Sequence, residues 1–172
     1  MKEKIKIELV KQLNRELESS HLYLNMASWS ENKGFEGVSR FLYNHSDEER
    51  FHMLKLMKYI NVRGGNGYYI DKNNIIINNN KNKYNNLYEL FQILFKHEKS
   101  ISKNINYLVE VSLIEKDYFT YNFLQWYVEE QMKEEFLCKM ILDKIKLVEN
   151  NRLGLYLFDK DINKIKITKK LN

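Results

Sequence analysis

The sequence contains no proline and only six glycines in 172 residues. Little therefore interrupts the backbone, and long continuous helices are favoured over a fold built on many tight turns. The single cysteine, Cys138, cannot form an intrachain disulfide and fits a reducing compartment. No stretch is apolar enough to span a bilayer. The charged start, Met1-Lys2-Glu3-Lys4-Ile5-Lys6, has no apolar run behind it, so no signal peptide is expected. Arginine–aromatic clusters and nucleic-acid-binding motifs are also missing. The net charge of +5 and the pI near 9.0 come from lysines spread among asparagines, as in Lys81-Asn82-Lys83 and Asn163-Lys164. That pattern reads as compositional drift rather than a binding surface.

What is present is an ordinary globular composition, 44% hydrophobic and 30% charged, long enough for one domain spanning 1–172. Four segments carry helical periodicity. The first, about Lys4 to Glu31, repeats Leu9, Leu13, Leu17, Leu24 and Ala27. Gly34 and Gly37 mark a short turn into the second, about Glu36 to Val62, which Arg63-Gly64-Gly65-Asn66-Gly67 ends. The third covers roughly Asn85 to Leu113 and the fourth roughly Asp117 to Glu149, so the bundle occupies about 4–149. Beyond Gly154, the amphipathic piece Leu155 to Ile165 makes a short fifth helix at about 153–165.

Between the second and third helices lies an Asn-rich connection, reaching about Asn82 and holding one β-type run, Ile75-Ile76-Ile77. A link of roughly twenty residues is out of place in a compact domain unless it travels the length of a bundle. A helix of ~28 residues is ~42 Å long, and an extended link can just return that far. The expected fold is all-α: a four-helix bundle with one long crossover and a short fifth C-terminal helix.

The acids fall where apolar residues belong. On the second helix Val38, Phe41 and Leu42 lead into His45, Glu49, His52 and then Leu56, with steps of three and four that keep the polar residues on the core stripe. On the first helix Leu13, Glu16, Ser20 and Tyr23 share a face. On the third, Leu87, Leu90, Leu94, Glu98, Ile101 and Ile105 do; on the fourth, Tyr127, Gln131, Glu134, Leu137 and Ile141. Each helix thus turns one acid inward. Isolated buried carboxylates cost several kcal/mol, so such groups pair or bind metal. No Lys or Arg shares these stripes beside its acid. Glu16, Glu49, Glu98 and Glu134, when ionised, carry a charge that two divalent cations would cancel. Glu49-x-x-His52 adds an imidazole on the same face, and mixed oxygen and nitrogen ligation suits iron, manganese or zinc better than calcium or magnesium. Only one such motif occurs, so the two metal positions should be unequal.

Four stretches carry a resemblance: Asn14-Arg15-Glu16-Leu17-Glu18-Ser19-Ser20, Phe35-Glu36-Gly37, His45-Ser46-Asp47-Glu48-Glu49-Arg50-Phe51-His52-Met53 and Phe123-Leu124-Gln125-Trp126-Tyr127-Val128-Glu129-Glu130-Gln131. With the tail Gly154-Leu155-Tyr156, they are similar to bacterial non-haem ferritins, members of the ferritin-like di-iron family, over nearly the whole chain. The ferritin-like bundle has the single long crossover expected above. The resemblance implies a cytoplasmic iron-storage protein with ferroxidase activity, which oxidises Fe(II) to Fe(III) with dioxygen or hydrogen peroxide at an intra-subunit dinuclear centre. Ferric mineral would be stored in a hollow homo-oligomeric shell of 24 subunits. It further implies two irons per subunit. Glu16, Glu49 and His52 correspond to the first position; Glu49 as a bridge, Glu98 and Glu134 to the second. Gln131 sits beside them, with Tyr23 and Trp126 as the nearby aromatics. Two ferrous ions held by a shared carboxylate can each give dioxygen one electron.

The family's third iron position is matched by Glu48 and Glu130, but Lys133 stands where another glutamate is common, so that site is expected to be weakened. A haem-carrying ferritin would have methionine directly after the helix-two glutamate, and that position is Arg50; no haem is expected. His45 reads as a hydrogen-bonded core residue outside the ligand set, Cys138 as a small buried apolar residue, and Met26, Met53 and Met57 as core packing. Two alternatives are less well matched. A rubrerythrin-like peroxide-consuming protein would want a second Glu-x-x-His and usually a four-cysteine iron module. A DNA-protecting mini-ferritin lacks the intra-subunit ligand set and the fifth helix.

Overall fold

The computed structural model describes residues 1–68, 84–148 and 151–165. Five α-helices account for most of them: α1 (Glu3–Asn32), α2 (Glu36–Val62), α3 (Leu87–Ile114), α4 (Tyr118–Val148) and α5 (Arg152–Asp161), the last running on into a 3₁₀ turn, Ile162–Lys164. All four long helices lie within two residues of their expected bounds. The Ile75-Ile76-Ile77 run and Glu149 lie outside the described residues.

Three helix ends follow one design. After α1, Gly34 N–H bonds to Glu31 O at 3.0 Å and Phe35 N–H to Ser30 O at 2.9 Å, with Gly34 at φ 81°. After α2, Gly64 at φ 75° and Gly65 repeat the pair on Asn61 O and Ile60 O. These are Schellman ends, which satisfy the last carbonyls through a left-handed residue. The end of α3 has the same two bonds, but the left-handed residue is Lys116 at φ 54°. Helix starts are capped by side chains: Asn86 accepts from Glu89 N–H, Asp117 from Thr120 N–H, and Asn151 from Gly154 N–H.

Two hydrophobic clusters fill the bundle, and their order along each helix gives the topology. One joins Tyr23, Met26 and Ala27 of α1 to Val38–Leu42, Leu87–Leu94 and Leu137–Ile145. The other joins Ile5–Leu13 of α1 to Met53–Ile60, Ile101–Val111 and Leu124–Tyr127. Helix α1 runs from the second cluster to the first, α2 returns, α3 runs the same way as α2, and α4 returns. The hairpins α1/α2 and α3/α4 are therefore antiparallel, while α2 and α3 are parallel. Consecutive helices that run the same way need a connection as long as the bundle, which is why the link is long. Its described ends stand at opposite ends of the bundle: Tyr68 O accepts from Asn14 Nδ2 beside the second cluster, and Tyr84 packs edge-on to Trp29 in the first.

The expected stripe on α1 is corrected in one respect. Leu24 is exposed and Leu17 only half-buried, whereas Ile5, Leu9, Leu13, Glu16, Ser20, Tyr23 and Ala27 form the buried face. Counting leucines four apart drifts off a 3.6-residue helix, and the true stripe mixes steps of three and four. Gly37 is also not part of the turn. It is the second residue of α2, and a Cβ there would collide with the backbone carbonyl of Asp159 in α5.

Candidate metal centre

Between the two hydrophobic clusters lies a polar layer. Glu16 of α1, Glu49 and His52 of α2, Glu98 of α3 and Glu134 of α4 are all buried there. Each sits where its helix passes from one cluster to the other, so the stripe that forms the core necessarily aims them at the bundle axis. Among the described residues, no lysine or arginine pairs with any of the four acids.

Glu16, Glu49 and His52 bring one ligand atom each within 4.8 Å of one another. His52 Nδ1 stands 3.5 Å from Glu49 Oε2. Ligands bound at 2.0–2.2 Å to a tetrahedral ion are about 3.4 Å apart, so this spacing suits a transition metal with little movement. Tyr127 donates to the His52 carbonyl at 2.8 Å, and the Trp126 ring stands edge-on to the imidazole at 5.2 Å. Gln12 donates to Glu16 Oε1 at 2.8 Å.

On the opposite side, both oxygens of Glu98 are held. Tyr23 donates to Oε1 at 3.0 Å and Gln131 Nε2 to Oε2 at 2.7 Å. Gln131 thus presents its amide nitrogen to Glu98 and acts here as a support for that carboxylate. Oε2 of Glu134 is buried and has no hydrogen-bond partner among the described residues. An acceptor left without a donor in a nest of acids is a strong indication that a cation belongs there.

The electrostatics agree. Burial, then the charge of Glu49, pushes the Glu16 carboxyl well above its ordinary range, and burial with repulsion from Glu98 does the same to Glu49. Glu98 is raised to about 8 by burial and by Glu134. Glu134 is raised to about 7 by burial and by Glu48. Four carboxylates packed without a cation hold protons that a metal would displace.

Glu48 and Glu130, expected at a weakened third position, have different partners. Lys133 takes Glu130 at 2.8 Å and Glu129 at 3.1 Å. Glu48 instead falls in with His45 and Glu134, one ligand atom from each within 4.8 Å. Sequence reading set His45 aside as a core residue. The structure does give it a core hydrogen bond, Nδ1 to Phe41 O at 2.9 Å, but leaves Nε2 facing two acids. The signal that could have found it is its place on the same stripe as Glu49 and His52.

A helical bundle with a buried, uncompensated carboxylate layer and one imidazole defines the class of metal-binding four-helix proteins. Residues 7–148 match the family described as ferritin-like domain. The chain is 42% identical over 154 residues to a probable bacterial non-heme ferritin-like protein of Haemophilus influenzae, covering 90% of each. It is 39% identical over 169 residues to the bacterial non-heme ferritin of Campylobacter jejuni, covering 98% of each. Its backbone matches the open-pore ferritin of Archaeoglobus fulgidus with a TM-score of 0.88 at 32% identity, covering 96% of this chain and 99% of that one. The chain belongs to the ferritin-like family, and its relatives include the bacterial non-haem ferritins.

Proposed function

We propose that this chain is the subunit of a cytoplasmic iron store, and that its buried carboxylate layer is a ferroxidase centre taking two ferrous ions as substrate. The observation that carries this reading is the buried layer itself: an inward acid from each of the four long helices and, among the described residues, no lysine or arginine to balance them and one buried carboxylate oxygen without a hydrogen bond. Names of relatives at about 40% identity point to the same activity.

Glu16, Glu49 and His52 would hold one ferrous ion, and Glu98 with Glu134 the other, with Glu49 bridging. Each ion loses one electron and dioxygen gains two, which with two protons brings it to the level of hydrogen peroxide. The chain contributes fixed spacing. Tyr23 and Gln131 orient Glu98, Gln12 orients Glu16, and the two hydrophobic clusters seal the layer from both ends. Carboxyls raised toward and above neutrality release protons as the ions enter. No haem is assigned, since Arg50 follows Glu49. A hollow shell of 24 copies is part of the proposal. It accords with the large apolar side chains on the outside of the lone subunit, among them Phe51, Phe119, Phe136, Leu147 and Leu153.

The test adds two ferrous ions per anaerobic subunit, then oxygen, and follows ferric absorbance by rapid mixing, with Glu49→Ala beside the native chain. Fast oxidation that falls at least tenfold in the variant is expected, from loss of a shared ligand. Equal slow rates in both would overturn the ferroxidase reading.

A further inference from the structure

We infer that Tyr59 is a remote electron donor to the dinuclear centre, connected to it by a chain of touching aromatic rings. The oxidant it serves is hydrogen peroxide. The inference rests on the ferroxidase reading, because that centre makes the peroxide and holds the ferrous ion beside which it reacts.

The chain of rings starts at a ligand of the centre. The His52 imidazole stands edge-on to Trp126 at 5.2 Å and to Tyr127 at 6.2 Å. Trp126 and Tyr127 are 4.9 Å apart, and Tyr127 and Phe123 are 5.6 Å apart. Phe123 then lies flat on Tyr59, with ring centres 3.8 Å apart and planes 8° from parallel. Phe123, Trp126 and Tyr127 share a face of α4 at helical spacing. Tyr59 is two turns beyond His52 on α2, about 10 Å along the helix axis at 1.5 Å per residue. An electron crosses so short a span of contiguous π-systems readily.

Of these rings, Tyr59 alone is equipped to hold the loss. Lys55 Nζ stands 3.7 Å from the centre of the Trp126 ring, and its positive charge opposes leaving a cation there. Tyr127 donates its hydroxyl hydrogen to the backbone carbonyl of His52 at 2.8 Å, and a peptide oxygen is too weak a base to take that proton. Phe123 has no acidic proton to release. Tyr59 has an outlet. Arg63 donates to its oxygen at 2.6 Å, which leaves the phenol hydrogen directed at Thr120 Oγ1, 2.9 Å away.

The outlet reaches solvent. The Thr120 side chain is hydrogen-bonded to Asp117, and Asp117 and Arg63, 2.9 Å apart, both line an open cavity of about 420 Å³ at the end of the bundle. The step balances. Turning hydrogen peroxide into two waters takes two electrons and two protons, and a single ferrous ion gives one electron. Tyr59 gives the other. The peroxide O–O bond breaks, the ion becomes ferric, and the Tyr59 O–H sends its electron through the rings and its proton to Thr120 and Asp117. Solvent supplies the two protons that complete the waters and takes up the one from Asp117. A neutral phenoxyl radical remains on Tyr59, and no hydroxyl radical is left among the buried ligands.

The test gives the assembled metal-free protein one ferrous ion per subunit and then one equivalent of hydrogen peroxide, without oxygen. Ferric absorbance is followed, and samples frozen within seconds are measured by electron paramagnetic resonance, with ring-deuterated tyrosine to identify the radical. The expected result is a phenoxyl signal in the native chain that is lost in Tyr59→Phe, a variant that keeps the ring stacked on Phe123. Thr120→Val, which keeps Tyr59 but removes its proton acceptor, should also lose the signal while ferric ion still forms. A signal of unchanged size and shape in Tyr59→Phe, as a radical held on Tyr23 would give, overturns the proposal. So does ferric product without any radical in the native chain. If no ferric product forms at all, the ferroxidase reading itself fails, and the role of Tyr59 falls with it.

Discussion

The hydroxyl of Tyr23 in α1 donates a 3.0 Å hydrogen bond to Glu98 in α3, and Gln131 in α4 holds the other oxygen of the same carboxylate. Three helices therefore aim one acid. Tyr23→Phe keeps the ring in its fully buried place and removes only that bond. The metal-free protein should lose about 1 kcal/mol, or roughly 2–4 °C in Tm for a chain of this size. Ferrous oxidation should slow about tenfold, since a support of a ligating carboxylate is lost. An unchanged oxidation rate in Tyr23→Phe would reduce Tyr23 to a packing residue.

Helix α5 and the 3₁₀ turn after it are locked to the start of α2. Asp159 accepts from Gly37 N–H at 3.1 Å and Val38 N–H at 2.8 Å, so a side chain from the far end of the sequence caps the start of α2. Asn163 then donates to Gly37 O at 2.8 Å. Those N–H groups have no partner within their own helix, and the helix dipole favours an acid there. Gly37→Ala would push its Cβ into the Asp159 backbone. It should release α5 and cost more than the ~1 kcal/mol of the lost cap alone. Asp159→Asn keeps an acceptor and should cost less. Limited proteolysis between α4 and α5 would read the difference; equal resistance in the Gly37→Ala and native chains would refute it.

How much of this could be read in advance differs by residue. The inward acids were legible because each breaks an apolar stripe at a known helical step, as Glu98 does between Leu94 and Ile101. Helix bounds were legible because glycine and asparagine punctuate them, as Gly34, Gly64 and Asn151 do. The contact of Gly37 with Asp159 was not, since it joins residues more than a hundred positions apart and nothing local marks it. His45 was half legible: its stripe position showed that it faces the core, but its approach to Glu134 depends on the packing of α2 against α4. Lys133 was visible as a departure, though only the fold shows that it binds Glu130 and leaves Glu48 to other partners.

Lys116 is the one non-glycine residue at positive φ among the described residues, and it closes α3 where Gly34 and Gly64 close the two helices before it. A side chain with a Cβ is disfavoured in that region by roughly 1–2 kcal/mol. Lys116→Gly relieves this, while adding some freedom to the unfolded chain, for a net gain of roughly 0.5–1 kcal/mol. Thermal unfolding of the metal-free protein should shift upward by about 1–4 °C. A lowered Tm would mean that the Lys116 side chain contributes more than its backbone strain costs.

The carboxylate layer should give the metal-free protein an inverted dependence on pH. Glu98 at about 8 and Glu134 at about 7 are both raised above the ordinary carboxylate range, and Glu16 and Glu49 are raised as well. Between that ordinary range, near pH 4.3, and about pH 8 the folded state binds more protons than the unfolded chain, so unfolding free energy falls as pH rises. Protonation removes the repulsion and the cost of burying charge; that stability is fully present in acid and lost as pH climbs through the folded values. Tm of the metal-free protein should therefore decline from about pH 5.5 to about pH 8.5. Divalent metal reverses the ranking, because it competes with those protons: the rise in Tm on adding zinc should be larger at the alkaline end, where fewer protons must leave. A metal-free Tm that is flat or rising across this window would mean that the four carboxyls are not the uncompensated cluster described, and that some other group already neutralises them.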